Sequence, residues 1–293
     1  MENARELIKK YKVIARKSLG QNFLTDEKVV ENILDAAYIN ENDLVIEIGP
    51  GLGIMTEPIA KRAGKVVAVE LDKNLIPILN GGLFGLNVTV INKDILKVDI
   101  DNEIIKPYGI KEDGTQYKIK VVSNLPYYIT TPIIMKLLED GIKAELMIFM
   151  VQLEVADRMC ANPGSKVYGS LSVAVKYYSE PEKLFNVPPG CFIPRPKVDS
   201  GVVRLTVREK FNIDEELRKI FFKLVKAAFG QRRKTLINAI LNSGYFQVDK
   251  ERLKEILKEM GLSEDIRGER LSIDLFLKLA EKTRKNTLIS RDF

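Results

Sequence analysis

Short apolar runs alternate along this chain with stretches whose apolar residues recur every three or four positions. Residues 26–37 predict a helix: Val29, Val30, Ile33, Leu34 and Ala37 share one face, and Asp26 suits the N-cap. LVIEIG (44–49) predicts a buried strand ending in glycine. A helix follows near 54–62, then VVAVEL (66–71), a strand closing on an acid. The helix predicted at 73–80 holds Pro77, which a first turn tolerates. VTVINKD (88–94) is a third strand, also closing on an acid, and residues 106–118 read as a polar loop or hairpin. KVVSNLPY (120–127) is a fourth strand running into a loop, followed by a helix at 131–139 and a fifth strand, ELMIFMVQ (145–152), with a helix after it. SLSVAVKYY (170–178) and GVVRLTV (201–207) read as late strands, the second after a proline-rich connection, VPPGCFIPRPKV.

Strands that alternate with helices imply parallel βαβ units, hence an α/β, doubly wound sheet with ligands at the carboxyl ends of its strands. Beyond residue 214 the texture changes. DEELRKIFFKLVKAAFG, RRKTLINAILNSG, KERLKEILKEMG and SIDLFLKLAEKTRK all show helical spacing. The expected division is 1–205 as the sheet domain and 206–293 as a smaller all-helical domain.

Composition narrows the chemistry. The 293 residues include no histidine and only two cysteines, Cys160 and Cys191. That excludes a Ser-His-Asp hydrolase, a His-ligated zinc enzyme and a disulfide scaffold, and no metal site is expected. Residues 1–205 hold 26 basic against 26 acidic side chains, and residues 206–293 hold 20 against 14, so the net charge of +6 lies in the C-terminal part. The first 17 residues add a local excess, six basic against two acidic. Basic ends on a neutral body suit a polyanion such as nucleic acid, and equally suit a solvated surface. No run is apolar enough to span a membrane and no secretory signal opens the chain, so a cytoplasmic location is expected.

The first strand ends in Glu47-Ile48-Gly49-Pro50-Gly51-Leu52-Gly53. Glycines at a strand-to-helix turn let backbone approach a ligand, although many such turns are only turns. The spacing departs from the dinucleotide fingerprint, and no Lys-Ser/Thr follows to make a phosphate loop. Glu70, about twenty residues on, can bind both ribose hydroxyls, and Asp94 can accept from an adenine amino group. Either acid alone equally suits an N-cap. Three strand ends in register, with no cation cluster for phosphates, point to an adenosine ligand without phosphates, and S-adenosylmethionine fits. A nicotinamide oxidoreductase is the rival at the level of the fold.

The fourth strand runs into Ser123-Asn124-Leu125-Pro126-Tyr127-Tyr128. The exocyclic amine of adenine is a poor nucleophile because its lone pair is delocalised into the ring. The Asn124 side-chain oxygen and the Leu125 carbonyl can each accept one amino hydrogen, which aims the lone pair at a sulfonium methyl. Pro126 fixes the turn, and Tyr127 offers a stacking face for an extruded base. A methylated adenine cation loses its proton readily, so no general base is needed, in keeping with the missing histidine. Phe192 is a candidate to close the pocket from the far side, or an ordinary core residue. A buried tyrosine in a turn is the plainer reading of the motif loop.

These residues carry a resemblance. Lys17-Ser18-Leu19-Gly20-Gln21-Asn22-Phe23-Leu24, EIGPGLG, VVAVELD, NLPYYITTP, YGSLSVAVKYY, VPPGCFIPRPKVDSGVVRL and FGQRRKTLINAI together resemble the ribosomal small-subunit RNA adenine dimethyltransferase family over nearly the whole chain. The first four are approximated by the macrolide-resistance rRNA adenine methyltransferases, the last three far less. The motif loop here continues Tyr128-Ile129-Thr130, where the family usually has Asn-Ile-Ser after the first tyrosine. The resemblance implies a Rossmann-like S-adenosylmethionine-dependent methyltransferase domain acting on two adjacent adenosines of the 3′-terminal hairpin of small-subunit rRNA, in a late assembly particle. By matching motifs it implies cofactor contacts from Asn22, Leu24, Gly49, Glu70, Asp94 and Asn124; Gly51 joins them from the glycine turn. It assigns the C-terminal helices to ribosomal RNA, where Arg232, Arg233 and Lys234 are the candidates. A monomer is expected. A DNA adenine methyltransferase and a purely non-catalytic assembly factor are the other readings weighed.

Overall fold

A computed structural model describes residues 3–208 and 211–284, and the backbone of 288–289. The strands of the main sheet are β2 (Asp43–Ile48), β3 (Lys65–Glu70), β4 (Val88–Asn92), β5 (Lys118–Asn124), β6 (Ala144–Gln152), β7 (Ser179–Val187) and β9 (Ser200–Val207), while β1 (Phe23–Leu24) and β8 (Phe192–Ile193) form a separate two-stranded pair. Spatial order in the sheet is β4-β3-β2-β5-β6-β9-β7. Five strands, β4 through β6, are parallel, and β9 runs antiparallel to both its neighbours. The order reverses between β2 and β5, where α/β sheets open a crevice beyond the strand ends. The Ile48 amide donates to Ser123 Oγ at 2.8 Å across that point and ties the two strands together.

Every residue of β2 is buried, as expected of a parallel strand covered on both faces, which is why LVIEIG carries no polar alternation. Helix α1 (Ala4–Lys10) starts the described chain, and α2 (Glu27–Ala36) is capped by Asp26, whose carboxylate accepts from the Lys28 and Val29 amides. Helices α3 (Thr56–Ala60) and α4 (Ile76–Gly82) follow β2 and β3. Val45, Val66, Val122, Ile148 and Val202, one from each of five strands, share a buried cluster with Ile33, Leu34, Ile59 and Leu79 of these helices. Residues 106–118 are partly the expected hairpin, bridged at Ile110 and Gln116, but open with the helical turn α5 (Lys106–Tyr108). Helices α6 (Thr130–Glu139) and α7 (Leu153–Cys160) follow β5 and β6.

SLSVAVKYY is not a strand. Ser170–Tyr178 is helix α8, with Leu171, Ser172, Val173, Ala174, Val175, Tyr177 and Tyr178 all buried. A helix buried on nearly every side shows no helical period, so its apolar run imitates a strand. The strand is instead the next segment, Ser179–Val187, which carries Pro181 and is mostly unburied, as suits the sheet edge.

The chain forms two compact units, Met1–Asp157 with Ser179–Arg208, and Arg158–Tyr178 with Glu209–Phe293. The expected single cut after 205 therefore gives way to three crossings, and α8 belongs with the C-terminal helices. In that unit α9 (Glu215–Gly230), α10 (Leu236–Leu241), α11 (Lys250–Glu259) and α12 (Ile273–Arg284) match the four helical patterns. It is not wholly helical, because β10 (Phe246–Gln247) pairs with β11 (Leu288–Ile289). Its core is aromatic: the Tyr177 ring lies 5.0 Å from those of Phe221 and Phe222 and 5.2 Å from that of Phe211.

Candidate active site

A cleft lies beyond the carboxyl ends of β2, β3, β4 and β5. Its wall includes Asn22, Leu24, Glu47, Gly49, Gly51, Glu70, Asp94, Asn124, Leu125, Pro126 and Tyr127. All but Glu47 were expected there. Gly49 and Gly51 have φ of 67° and 60°, conformations that cost side-chain-bearing residues strain, and a Cβ on Gly51 would meet the Phe23 ring at 3.2 Å. The Gly51 amide donates to Glu70 Oε2 at 3.2 Å, and the Asp72 amide donates to Oε1 at 2.7 Å. Glu70 is thus aimed by backbone, and burial raises its pKa despite those hydrogen bonds. Asp94 caps a short 3-10 turn, its Oδ1 accepting from the Leu96 amide at 3.0 Å.

The Asn124 amide is oriented by its neighbours. Nδ2 donates to the Asn22 carbonyl at 3.2 Å, so the side-chain oxygen is the end left to accept. Asn22 is held in turn, its Nδ2 donating to the Gly20 carbonyl at 3.0 Å. The Leu125 amide donates to the Met150 carbonyl at 3.0 Å, which anchors the loop to β6. The Pro126 carbonyl accepts from Thr130 Oγ1 at 2.9 Å and from the Ile129 amide at 3.2 Å, so the turn is closed on itself. Tyr127 shares a 2.6 Å hydrogen bond with Ser200 Oγ on β9, which fixes the ring. Burial raises the Tyr127 pKa, keeping it a neutral phenol.

Phe192 is not in the cleft wall. It is 1% exposed and pairs through its backbone with Leu24, placing it behind the lip formed by β1. Asn22 and Leu24 were reachable only through the resemblance, because the β1–β8 pairing joins segments nearly 170 residues apart (Phe23 opposite Ile193). Glu47 was missed. It is 1% exposed, its Oε2 has no hydrogen-bond partner, and its pKa is pushed up to about 8, chiefly by burial, with the Glu70 charge acting in the same direction. A lone acid inside an apolar strand, two residues before a glycine turn, was the signal.

Arg232, Arg233 and Lys234 lie in the other unit, between α9 and α10, and are exposed. They are not alike. Arg232 donates to the Lys166 and Tyr168 carbonyls at 2.8 and 3.2 Å and lies 3.6 Å from Glu269.

Comparison with known proteins decides the family. A family model described as ribosomal RNA adenine dimethylase matches residues 13–285. The chain belongs to the ribosomal RNA adenine dimethylase family. It is 50% identical over 278 residues, 94% of each chain, to a protein of Lachnoclostridium phytofermentans called ribosomal RNA small subunit methyltransferase A. A Clostridioides difficile protein of that name is 50% identical over 277 residues, covering 94% of this chain and 93% of its own. Among solved structures, a dimethyladenosine transferase from Plasmodium falciparum superposes with a TM-score of 0.75 at 27% identity, over 90% of this chain and 98% of that one. The 23S rRNA methyltransferase ErmE superposes with a TM-score of 0.67 at 25% identity, over 90% and 100%.

As a ribosomal RNA adenine dimethylase the chain is an S-adenosylmethionine-dependent enzyme, and the cleft suits that cofactor. Glu70 and Asp94 line it beside the protonated Glu47, while Lys93, its one lining cation among the described residues, is held by Glu103 at 2.7 and 2.8 Å. An acidic cleft favours a ligand bearing a sulfonium and an ammonium over one bearing phosphates. Tyr128 at the mouth responds to the same field: burial raises its pKa, and the charges of Asp94 and Glu70 raise it further.

Proposed function

We propose that this dimethylase methylates N6 of two adjacent adenosines in the 3′-terminal hairpin of small-subunit rRNA, twice each, in a late assembly particle. The relatives at about 50% identity that carry the small-subunit name support that substrate over large-subunit RNA. The observation that carries the chemistry is the acceptor pair at the end of β5. With an Nδ2 hydrogen engaged by the Asn22 carbonyl, the Asn124 oxygen is left to accept, one residue from the Leu125 carbonyl, which accepts no hydrogen bond from the described residues.

Bound S-adenosylmethionine supplies an electrophilic methyl group. Asn22, Leu24, Gly49, Gly51, Glu70, Asp94 and Asn124 would hold it, Glu70 through the ribose hydroxyls and Asp94 through the adenine amine. Two hydrogen bonds from the target amine to Asn124 Oδ1 and the Leu125 carbonyl hold its lone pair in line with the methyl carbon. The methylated amine would release its proton to water, so no side chain of the cleft is needed as a base. Pro126 holds the carbonyl in place, Tyr127 stacks on the extruded base, and Phe192 supports Leu24 from behind. Arg233 and Lys234 make phosphate contacts in the helical unit, with Arg232 bracing them. The enzyme works as a cytoplasmic monomer; no helix among the described residues is long and apolar enough to cross a membrane.

Purified immature small subunits and naked large-subunit RNA, each offered with radiolabelled S-adenosylmethionine, test this reading. Label in the small-subunit RNA, recovered as dimethyladenosine by tandem mass spectrometry, is expected. Label confined to the large-subunit RNA would overturn it.

A further inference from the structure

The chain carries no acidic residue between Glu6 and Asp26, yet it places Lys9, Lys10, Lys12, Arg16 and Lys17 there. The segment is not a loose tail. Asn3 and Glu6 form a reciprocal cap on α1, and the Val13 amide returns to the Ile8 carbonyl at 3.0 Å. Its far end is stapled to the cleft: Arg16 lies 3.4 Å from Asp72, the Arg16 amide donates to Gln21 Oε1 at 2.8 Å, and Gln21 Nε2 donates to Asp72 Oδ2 at 2.9 Å. The next residues, Leu19 to Leu24, line the cleft itself. Lys9, Lys12 and Lys17 are exposed and have no carboxylate partner among the described residues, and Ile14 between them is 85% exposed.

The other side of the same lip is also basic. Strand β1 pairs with β8, and the chain leaving β8 carries Arg195 and Lys197, both exposed and without carboxylate partners among the described residues. One strip of cleft wall is therefore continuous with two sets of uncompensated cations. We infer that these two segments form a track for single-stranded RNA that delivers the flanks of the target adenosine to the cleft. The cations neutralise phosphates, and Ile14 and the half-exposed Tyr128 offer apolar contact to unstacked bases. Such a track holds backbone without reading sequence. This inference rests on the reading that the substrate is RNA.

The test follows binding of a fluorescent RNA hairpin with single-stranded flanks to the full-length protein by anisotropy, across a salt series. The Lys9→Gln/Lys12→Gln/Lys17→Gln variant should bind several-fold more weakly at low salt. Its plot of log affinity against log salt should be shallower by about two, and that of Arg195→Gln/Lys197→Gln by about one. Cofactor affinity by calorimetry should match the parent in both. An unchanged salt slope in the lysine variant would overturn the track, as would competition by polyglutamate but not by RNA. Methyl transfer is scored separately: a parent enzyme that labels no RNA sinks the proposed substrate, while the salt slopes still decide on the track.

Discussion

In the helical unit Arg252 lies 2.6 Å from Glu255, Lys254 lies 3.2 Å from Glu251, and Lys282 lies 2.6 Å from Glu259. At the strand ends of the other unit, three carboxyl groups share a cleft with no uncommitted cation among the described lining residues, and Glu47 Oε2 has no hydrogen-bond partner among those residues. The first region pairs several of its charges internally. The second leaves polar atoms to be satisfied by something that arrives. Counting charges by segment, as a sequence allows, puts the basic surplus in the C-terminal part. Pairing them in space leaves that surplus unchanged, because each ion pair removes one charge of either sign, but it shows which cations are already engaged and that Glu47 Oε2 in the cleft has no hydrogen-bond partner among the described residues.

The largest effect is expected where an unpaired acceptor is removed. Asn124→Ala should lower the methyl-transfer rate by about 10²–10³-fold, the scale of losing one aligned electrostatic contact in a water-poor site, with particle binding retained. Single-turnover label transfer and sedimentation with subunits read the two halves; loss of binding in a folded variant would make the loop structural.

Glu47 sharpens the comparison from the side of stability. Folded Glu47 keeps its proton to about pH 8, whereas the unfolded chain releases it near 4.5. The native state thus holds more protons in this window, so the contribution falls as pH rises from 4.5 to 8 and then levels off. At about 1.4 kcal/mol per pH unit, the penalty at pH 7 is about 3 kcal/mol. Glu47→Gln should therefore raise the denaturation midpoint, with a gain that grows between pH 5 and 8 in chemical melts. A gain independent of pH would remove burial of an ionisable group as its cause.

Within the basic triplet a smaller contrast is expected. Arg232→Ala loses two hydrogen bonds to backbone carbonyls and should cost about 1 kcal/mol of stability. Arg233→Ala/Lys234→Ala should leave the melting temperature unchanged and weaken particle binding. The smallest effect belongs to the surface pairs. Lys254→Ala should move stability by less than about 0.5 kcal/mol and leave RNA affinity unaltered. A larger change would mean that the pairs of the helical unit form a stabilising network.

The site was legible where chemistry and sequence order coincide. The glycine turn, Glu70, Asp94 and the Asn124–Tyr127 loop each follow directly on a strand, and a strand end is where an open α/β sheet binds ligands. Asn22 and Leu24 were not legible from local pattern, because a two-residue strand has no period and its partner lies far along the chain. In the fold, α8 and β7 were hard to read for opposite reasons: the helix is buried all round and so reads as an apolar strand, and the edge strand is mostly polar and so shows no strand pattern. Reading α8 as a strand also hid the true division of the chain, since α8 is the segment that crosses between units.

The triple crossing has a consequence for modularity. The helical unit is an insertion plus a tail, not an appendage, so no single cut separates it. A fragment ending near residue 205 would still contain α8 with its buried Leu171, Val173, Val175 and Tyr177, but would lack Phe211, Phe221 and Phe222, which surround the Tyr177 ring. Exchanging this unit between relatives, in evolution or at the bench, requires three junctions inherited together, and a chimera joined at one junction would carry an orphaned greasy helix in its middle.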